Sequence, residues 1–448
     1  MSNARISFLT FAAVCGITSV LHASDWTQFR GPQGNGYVAE LRHPETWSDT
    51  ENVAWAVELT GSGWSSPIVV GTRVFVTMAI SEAGTKPLGM TQGTRNMQSM
   101  GLGGKKPTET FQFAVACLNL NDGSLLWQKS LEQKIPTHAI HPSNSFATES
   151  PATDGEKLFV YFGAIGLVAG LDLDGNELWR RDVGTFKTGN DFGTGSSLMV
   201  DEGLVFLQYD NDEKSMLLAL AADTGKDVWR KDRESKTAWS SPLVWHNSQR
   251  KELIVCGTGN VTSYNAKTGD EFWKLTGIPS SFSASPASGD DRIFFGNSGP
   301  FSSGPLVAVA VGNTGTTELQ PEKETPGVGW SKLKAGPGMA SPVLSAGYLY
   351  VPGSGSILTC YAAATGERVY RDRLDDAATV SASLWASAEK VFILDETGKC
   401  FVIKAGPTFE VLATNQINDL FWSTPSIAGD SLLLRGVNKL YCIRSPAK

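Results

Sequence analysis

The stretch Ala219-Leu220-Ala221-Ala222-Asp223-Thr224-Gly225-Lys226-Asp227-Val228-Trp229 decides the fold. It reads as the end of an apolar strand, a tight Asp-Thr-Gly turn, and a second strand opening on tryptophan. The turn glycine recurs at Gly123, Gly175, Gly225, Gly269, Gly315, Gly366 and Gly406, mostly after Thr or Asp, as a two-strand turn requires. Four residues later stand Trp127, Trp179, Trp229, Trp273 and Tyr370, while the fifth and seventh copies carry Leu319 and Glu410. Six residues before the glycine lie Cys117, Ala169, Ala219, Ser263, Val309, Cys360 and Cys400, a column that calls for a small buried residue.

A second marker opens each unit: Ser66-Pro67, Ser150-Pro151, Ser197-Leu198, Ser241-Pro242, Ser285-Pro286, Ser341-Pro342, Ser383-Leu384 and Thr424-Pro425. These eight anchors are spaced by 84, 47, 44, 44, 56, 42 and 41 residues, a period near 44 with a long insertion in the first unit and a shorter one in the fifth. Each anchor is followed by two short alternating segments, the strand into the turn, and the strand carrying Trp. Four-stranded units at this period predict an all-β, eight-bladed β-propeller. The chain ends three strands into the last unit, and the missing strand is expected at the other end. Asn52 to Leu59, with Trp55, resembles the outer strands, so it is expected to close the eighth blade and remove the open edge.

The copies at Gly175, Gly225 and Gly269 resemble the tryptophan-docking repeat of the PQQ-like propeller superfamily, and the resemblance runs through nearly the whole chain after residue 23. The opening Trp26 to Gly36 resembles the N-terminal signature of secreted bacterial members. The superfamily holds both pyrroloquinoline quinone dehydrogenases and noncatalytic BamB-like propellers, so the motif speaks for the fold more than for the function.

Residues 1–23 carry Arg5, an apolar run from Ile6 to Val20, and Leu21-His22-Ala23, the layout of a cleavable secretory signal. Domain organisation is then a signal peptide (1–23), an N-terminal extension (24–51) and one propeller domain (52–448) with an inserted loop at 81–110. The expected location is periplasmic or extracellular, with no membrane span. A net charge of −7 offers no basic surface to nucleic acid. Cys117, Cys256, Cys360, Cys400 and Cys442 make an odd set in the mature chain, and three of them sit in the small-residue column, so packing is the expected role.

Function is expected in the departures from the repeat. The long connections, Ser81 to Thr110, Ile135 to Thr148, Gly184 to Gly195 and Asp210 to Ser215, fall on one face of the ring, in blades 1 to 3. The first is Gly-rich, carries Met90, Met97 and Met100, and reads as a mobile loop. His138, His141, Asn144 and Glu149 offer a partial ligand set for zinc or copper, or ordinary hydrogen-bonded surface groups. Asn190, Asp191, Asp210 and Asp212 offer oxygens for calcium or sugar hydroxyls, or turn formation. Trp64, Trp239 and Trp422 are expected at the channel mouth, stacking on a flat ligand or plugging the channel. Arg30-Gly31-Pro32 is expected on a surface path away from the long loops, bracing the closure.

The resemblance implies that a quinone dehydrogenase would carry a vicinal Cys-Cys and calcium ligands around its quinone. The sequence has no vicinal pair and no CxxCH, so no cofactor, metal or catalytic residue is assigned. The leading expectation is a secreted noncatalytic scaffold that binds protein through its long-loop face. The alternatives are an oxidoreductase using pyrroloquinoline quinone with calcium, or another metal, at the channel mouth, and a carbohydrate-binding propeller on the same aromatics.

Overall fold

Alternating apolar residues and glycine turns fold each repeat into four antiparallel strands, and eight such sheets form the ring. The computed structural model describes residues 25–92, 94–95, 104–299 and 302–446. The signal segment, Cys15, Met97 and Met100 lie outside the described residues. Blade 1 begins with the innermost strand Ile68–Val70 and ends with the outer strand Leu125–Lys134. Blade 8 holds Ser426–Ala428, Ser431–Arg435 and Lys439–Ile443, and its outer strand is Val53–Glu58, with Trp55 opposite Cys442. The N-terminal strand therefore closes the ring, as its resemblance to the other outer strands predicts.

Neighbouring blades are keyed together by tryptophan. The Trp55 indole N–H donates to Leu120 O (2.9 Å), Trp127 to Leu173 O (3.1 Å), Trp179 to Ala222 O (2.8 Å) and Trp229 to Ala266 O (3.0 Å). Each acceptor lies in the turn of the next blade, two or three residues before that blade's turn glycine. The ring itself covers the glycine: a Cβ on Gly225, where φ is +64°, would sit 2.4 Å from Trp179. The glycine thus serves both the left-handed turn and the close approach of the ring. Across the strand pair, the small column faces the same tryptophans, as in Cys117↔Trp127 and Ala219↔Trp229. All five described cysteines are buried and unpaired, and burial pushes each thiol up from its ordinary value.

Three details of the repeat differ from expectation. In blade 2 the residue facing Trp179 is Gly170, not Ala169, because the shorter turn shifts the register by one. In blade 5 the segment Gly315–Glu318 does not form the outer strand. It pairs in parallel on the outer edge of blade 4, and the outer strand is Val328–Lys332 with Trp330 facing Ala308. Trp330 then docks normally, donating to Ala363 O (2.9 Å) against Gly366. In blade 7, which lacks an outer-strand tryptophan, Asn415 faces Cys400 and holds the Trp47 backbone N–H (2.9 Å). Trp47 is buried in the same cluster as Cys400.

The anchor serines have a role beyond small size. The backbone N–H of each anchor donates to the hydroxyl of the next: Ser66 to Ser150, Ser150 to Ser197, Ser197 to Ser241, Ser241 to Ser285, Ser285 to Ser341, Ser341 to Ser383 and Ser383 to Thr424, all at 2.8–3.1 Å. A buried chain of hydroxyls satisfies backbone donors that belong to no sheet ladder. At the seam between blades 8 and 1 the buried Arg435 instead satisfies backbone acceptors, donating to Ser65 O (3.0 Å) and Thr77 O (2.8 Å).

The N-terminal extension does not follow the surface. Trp26 pairs with Val69 of blade 1, Thr27 O accepts from Thr153 of blade 2, and the Gln28 side chain accepts from Val200 of blade 3. Arg30 is fully buried and donates to Pro286 O (2.7 Å) in blade 5 and to Pro342 O in blade 6. Tyr37–Val38 then pairs in parallel with the inner strand Trp385–Ser387 of blade 7. Innermost strands present unpaired backbone groups to the channel, and this segment satisfies them while burying Trp26. Residues 25–38 are thus a plug across the inner strands, on the side away from the long loops.

Candidate functional site

On the long-loop face the described part of the first insertion reaches over blades 8 and 7 and to the loop that enters blade 2. Leu88 N donates to Pro142 O (3.0 Å), Met90 N to Glu396 Oε1 of blade 7 (2.9 Å), and Lys86 to Asn438 of blade 8 (2.8 Å). Glu396 is buried, which raises its pKa, and the Ser381 hydroxyl also donates to it (3.1 Å). Glu109 gathers Ser81, Ala83 and Thr85 at the base of the loop. Ser143 Oγ lies 3.7 Å from Met90 Sδ and 2.6 Å from His141 Nδ1.

Beneath this strap Trp64 and Trp422 meet edge to face with centroids 5.9 Å apart, and the Trp64 indole donates to Ser143 O (2.8 Å). Trp64 is buried and Trp422 half-buried. Trp239 stands apart from them, stacked obliquely on Phe192 (6.1 Å) and donating to Gly193 O (2.7 Å). His141 packs edge-on against the same Phe192 (5.1 Å), and burial lowers its pKa. Asn144 donates to Phe192 O (2.7 Å) and Thr194 O (3.1 Å). Phe192 therefore gathers His141, Asn144 and Trp239, and the loops 135–148 and 184–195 form one surface.

The remaining candidates separate. His138 is half-buried and shares no bond with His141, and the described residues contain no cluster of three or more His, Cys, Asp or Glu side chains suited to a metal. Asp210 is fully engaged by the buried Arg233 (2.8 Å) and by Gln208 (2.8 Å). Asp212 accepts from the Thr237 hydroxyl (2.7 Å). Asn190 and Asp191 both adopt left-handed backbone on a short turn, Asn190 exposed and Asp191 half-buried.

Glu149 lies deeper, at the junction of blades 2 and 3. Its carboxyl accepts from the Thr194 hydroxyl and from the backbone amides of Gly163 and Thr148, while burial pushes its pKa up to about 7. Sequence reasoning missed Met90 and Glu396 as a latch, Phe192 as the hub, and Arg233 and Arg435 as buried cations. None belongs to a repeated column except by violating it, so periodicity carries no signal for them.

A family model described as outer membrane protein assembly factor BamB matches residues 112–369 and 257–443. The chain belongs to the PQQ-like β-propeller family. The BamB of Moranella endobia is 26% identical over 225 residues, which cover 46% of this chain and 52% of that one. The chain spans about half the length of the curated relatives it matches. Among solved structures, BamB from Moraxella catarrhalis superposes with a TM-score of 0.59 at 11% identity, over 88% of this chain and 98% of that one. Quinohemoprotein alcohol dehydrogenase from Comamonas testosteroni gives 0.61 at 11% identity, over 95% and 81%. A BamB and a quinohemoprotein alcohol dehydrogenase match to the same degree, so their likeness shows the fold alone.

Proposed function

We propose that this PQQ-like propeller is a noncatalytic protein-interaction scaffold of the cell envelope, presenting its long-loop face to a protein partner. The observation that carries the reading is that the inner strands and the mouth aromatics are already engaged from both sides. The plug 25–38 pairs along the inner strands on one side, and on the other the strap through Met90 lies by Trp64 and Trp422. A flat cofactor of the channel mouth would have to displace these side chains, whereas a protein partner can dock on the outer face that the strap forms with the surface joined by Asn144, Phe192 and Trp239. The match to relatives named as assembly factors supports the same reading, and residues 1–23 have the layout of an export signal.

The test is chemical cross-linking in the native host followed by affinity recovery, comparing the full chain with one in which residues 81–110 are replaced by a short glycine linker. The expected result is loss of most of the cross-linked partner with an unchanged melting temperature. Recovery of the same partner at the same yield from the loop-replaced chain contradicts the assignment of this face.

A further inference from the structure

The position just before each anchor serine or threonine is serine or alanine in seven blades, and in blade 2 it is Glu149. Its carboxyl is buried and Oε1 has no hydrogen-bond partner. Space for it comes from Gly163, where a Cβ would lie 2.7 Å from Oε1 and 2.3 Å from the Thr194 hydroxyl. Thr194, which faces the same Gly163 position as the carboxyl, also lines a small cavity of about 10 Å³, the size of one water, together with Tyr161, Ser196 and Gln208. Ser196 Oγ and Gln208 Oε1 are also buried without partners, and the Tyr161 hydroxyl makes no hydrogen bond of normal geometry. Several unsatisfied polar atoms collected around one cavity are not what a packed blade junction needs.

We propose that this junction is a proton-binding site, in which the buried Glu149 carboxyl holds a proton, and that loss of the proton loosens the two loops the carboxyl ties together. The titratable groups facing it are Tyr161 from the second strand of blade 2 and Tyr209 from the second strand of blade 3. No charged side chain contributes to the shift at Glu149, and the buried cation of blade 3, Arg233, is taken by Asp210. On the neighbouring loop, the His141 ring is bonded to Ser143. An ionised Glu149 is therefore a buried charge without a counter-ion. The carboxyl bonds Thr194 and Thr148, which belong to the loops 184–195 and 135–148, and Gly163 between the second and third strands of blade 2. A change in its charge thus acts on the long-loop face; that consequence rests on the function proposed above, while proton binding itself does not.

The folded-state pKa, about 7, lies above the ordinary 4.5. Stability from the protonated form is therefore complete below pH 4.5 and is lost as pH rises towards 7. Urea unfolding of the full mature chain and of Glu149→Gln, measured from pH 4 to pH 8, reads this without any partner. The unfolding equilibrium of the wild type relative to Glu149→Gln is expected to rise by about 200-fold across that range. Hydrogen exchange in segments 135–148 and 184–195, corrected for intrinsic rate, is expected to accelerate with pH in the wild type alone. If Glu149→Gln does not fold, Glu149→Ser, which places at this site a residue type found there in other blades, takes its place. Parallel pH profiles for the wild type and the variant overturn the proposal.

Discussion

A chain lacking everything before Thr60 is expected to lose cooperative unfolding. Removal of Val53–Glu58 leaves blade 8 with three strands and exposes the edge of Lys439–Ile443. It also removes Trp55, whose ring covers Gly123 and whose indole N–H holds Leu120 O. Losing one buried tryptophan costs about 3–5 kcal/mol. The same truncation removes Trp26 and Trp47, both buried, together with the plug. The combined loss is comparable to the roughly 5–15 kcal/mol that holds an ordinary domain together. A chain that starts at Asn52 keeps the closing strand and loses only the extension, so it separates closure from plugging: a sharp melt at lower temperature is expected. Thermal unfolding followed by near-ultraviolet circular dichroism measures both. A truncated chain starting at Thr60 that melts as sharply as the intact protein contradicts the closure.

The second large effect is expected at the interlock of blades 2 and 3. Trp179→Ala removes a buried ring and its bond to Ala222 O (2.8 Å), for about 4–5 kcal/mol of lost stability. Gly225→Ala is expected to cost about 3 kcal/mol, since the residue is left-handed and the added methyl would sit 2.4 Å from the same ring. These two losses share one cause, the approach of the ring to the turn. In Trp179→Ala/Gly225→Ala the methyl meets the space the ring has left, so the double variant should be more stable than the sum predicts by about 1–2 kcal/mol. Equilibrium urea unfolding of the four proteins reads the coupling, and strict additivity contradicts the interlock.

Much of this fold was legible because a propeller repeats its physics. The turn glycine, the tryptophan and the small residue facing it are visible in the sequence because each is required once per blade. The anchor serines were visible too, yet their reason was not, since a hydroxyl accepting from the preceding blade looks in sequence like a merely small residue. Elements used once were hidden. Trp330 lies beyond an insertion that displaces the outer strand of blade 5. The plug has no period, and its contacts join Arg30 to Pro286 and Pro342, 256 and 312 residues away. Of the candidate site, His141 and Asn144 lie on the joined loops, Trp239 packs against them through Phe192, and Trp64 meets Trp422 beneath the strap, while Asp210 and Asp212 are consumed in supporting bonds. Which oxygens are free and which are engaged depends on partners such as Arg233, and spacing does not encode that.

The most direct test of the account is a crystal structure of the mature protein grown with pyrroloquinoline quinone and calcium. The account predicts residues 25–38 seated across the inner strands, Trp64 against Trp422 beneath the Met90–Glu396 contact, and no quinone between them. Quinone stacked at the channel mouth, with Trp64 and Trp422 parted and the strap displaced, would contradict it.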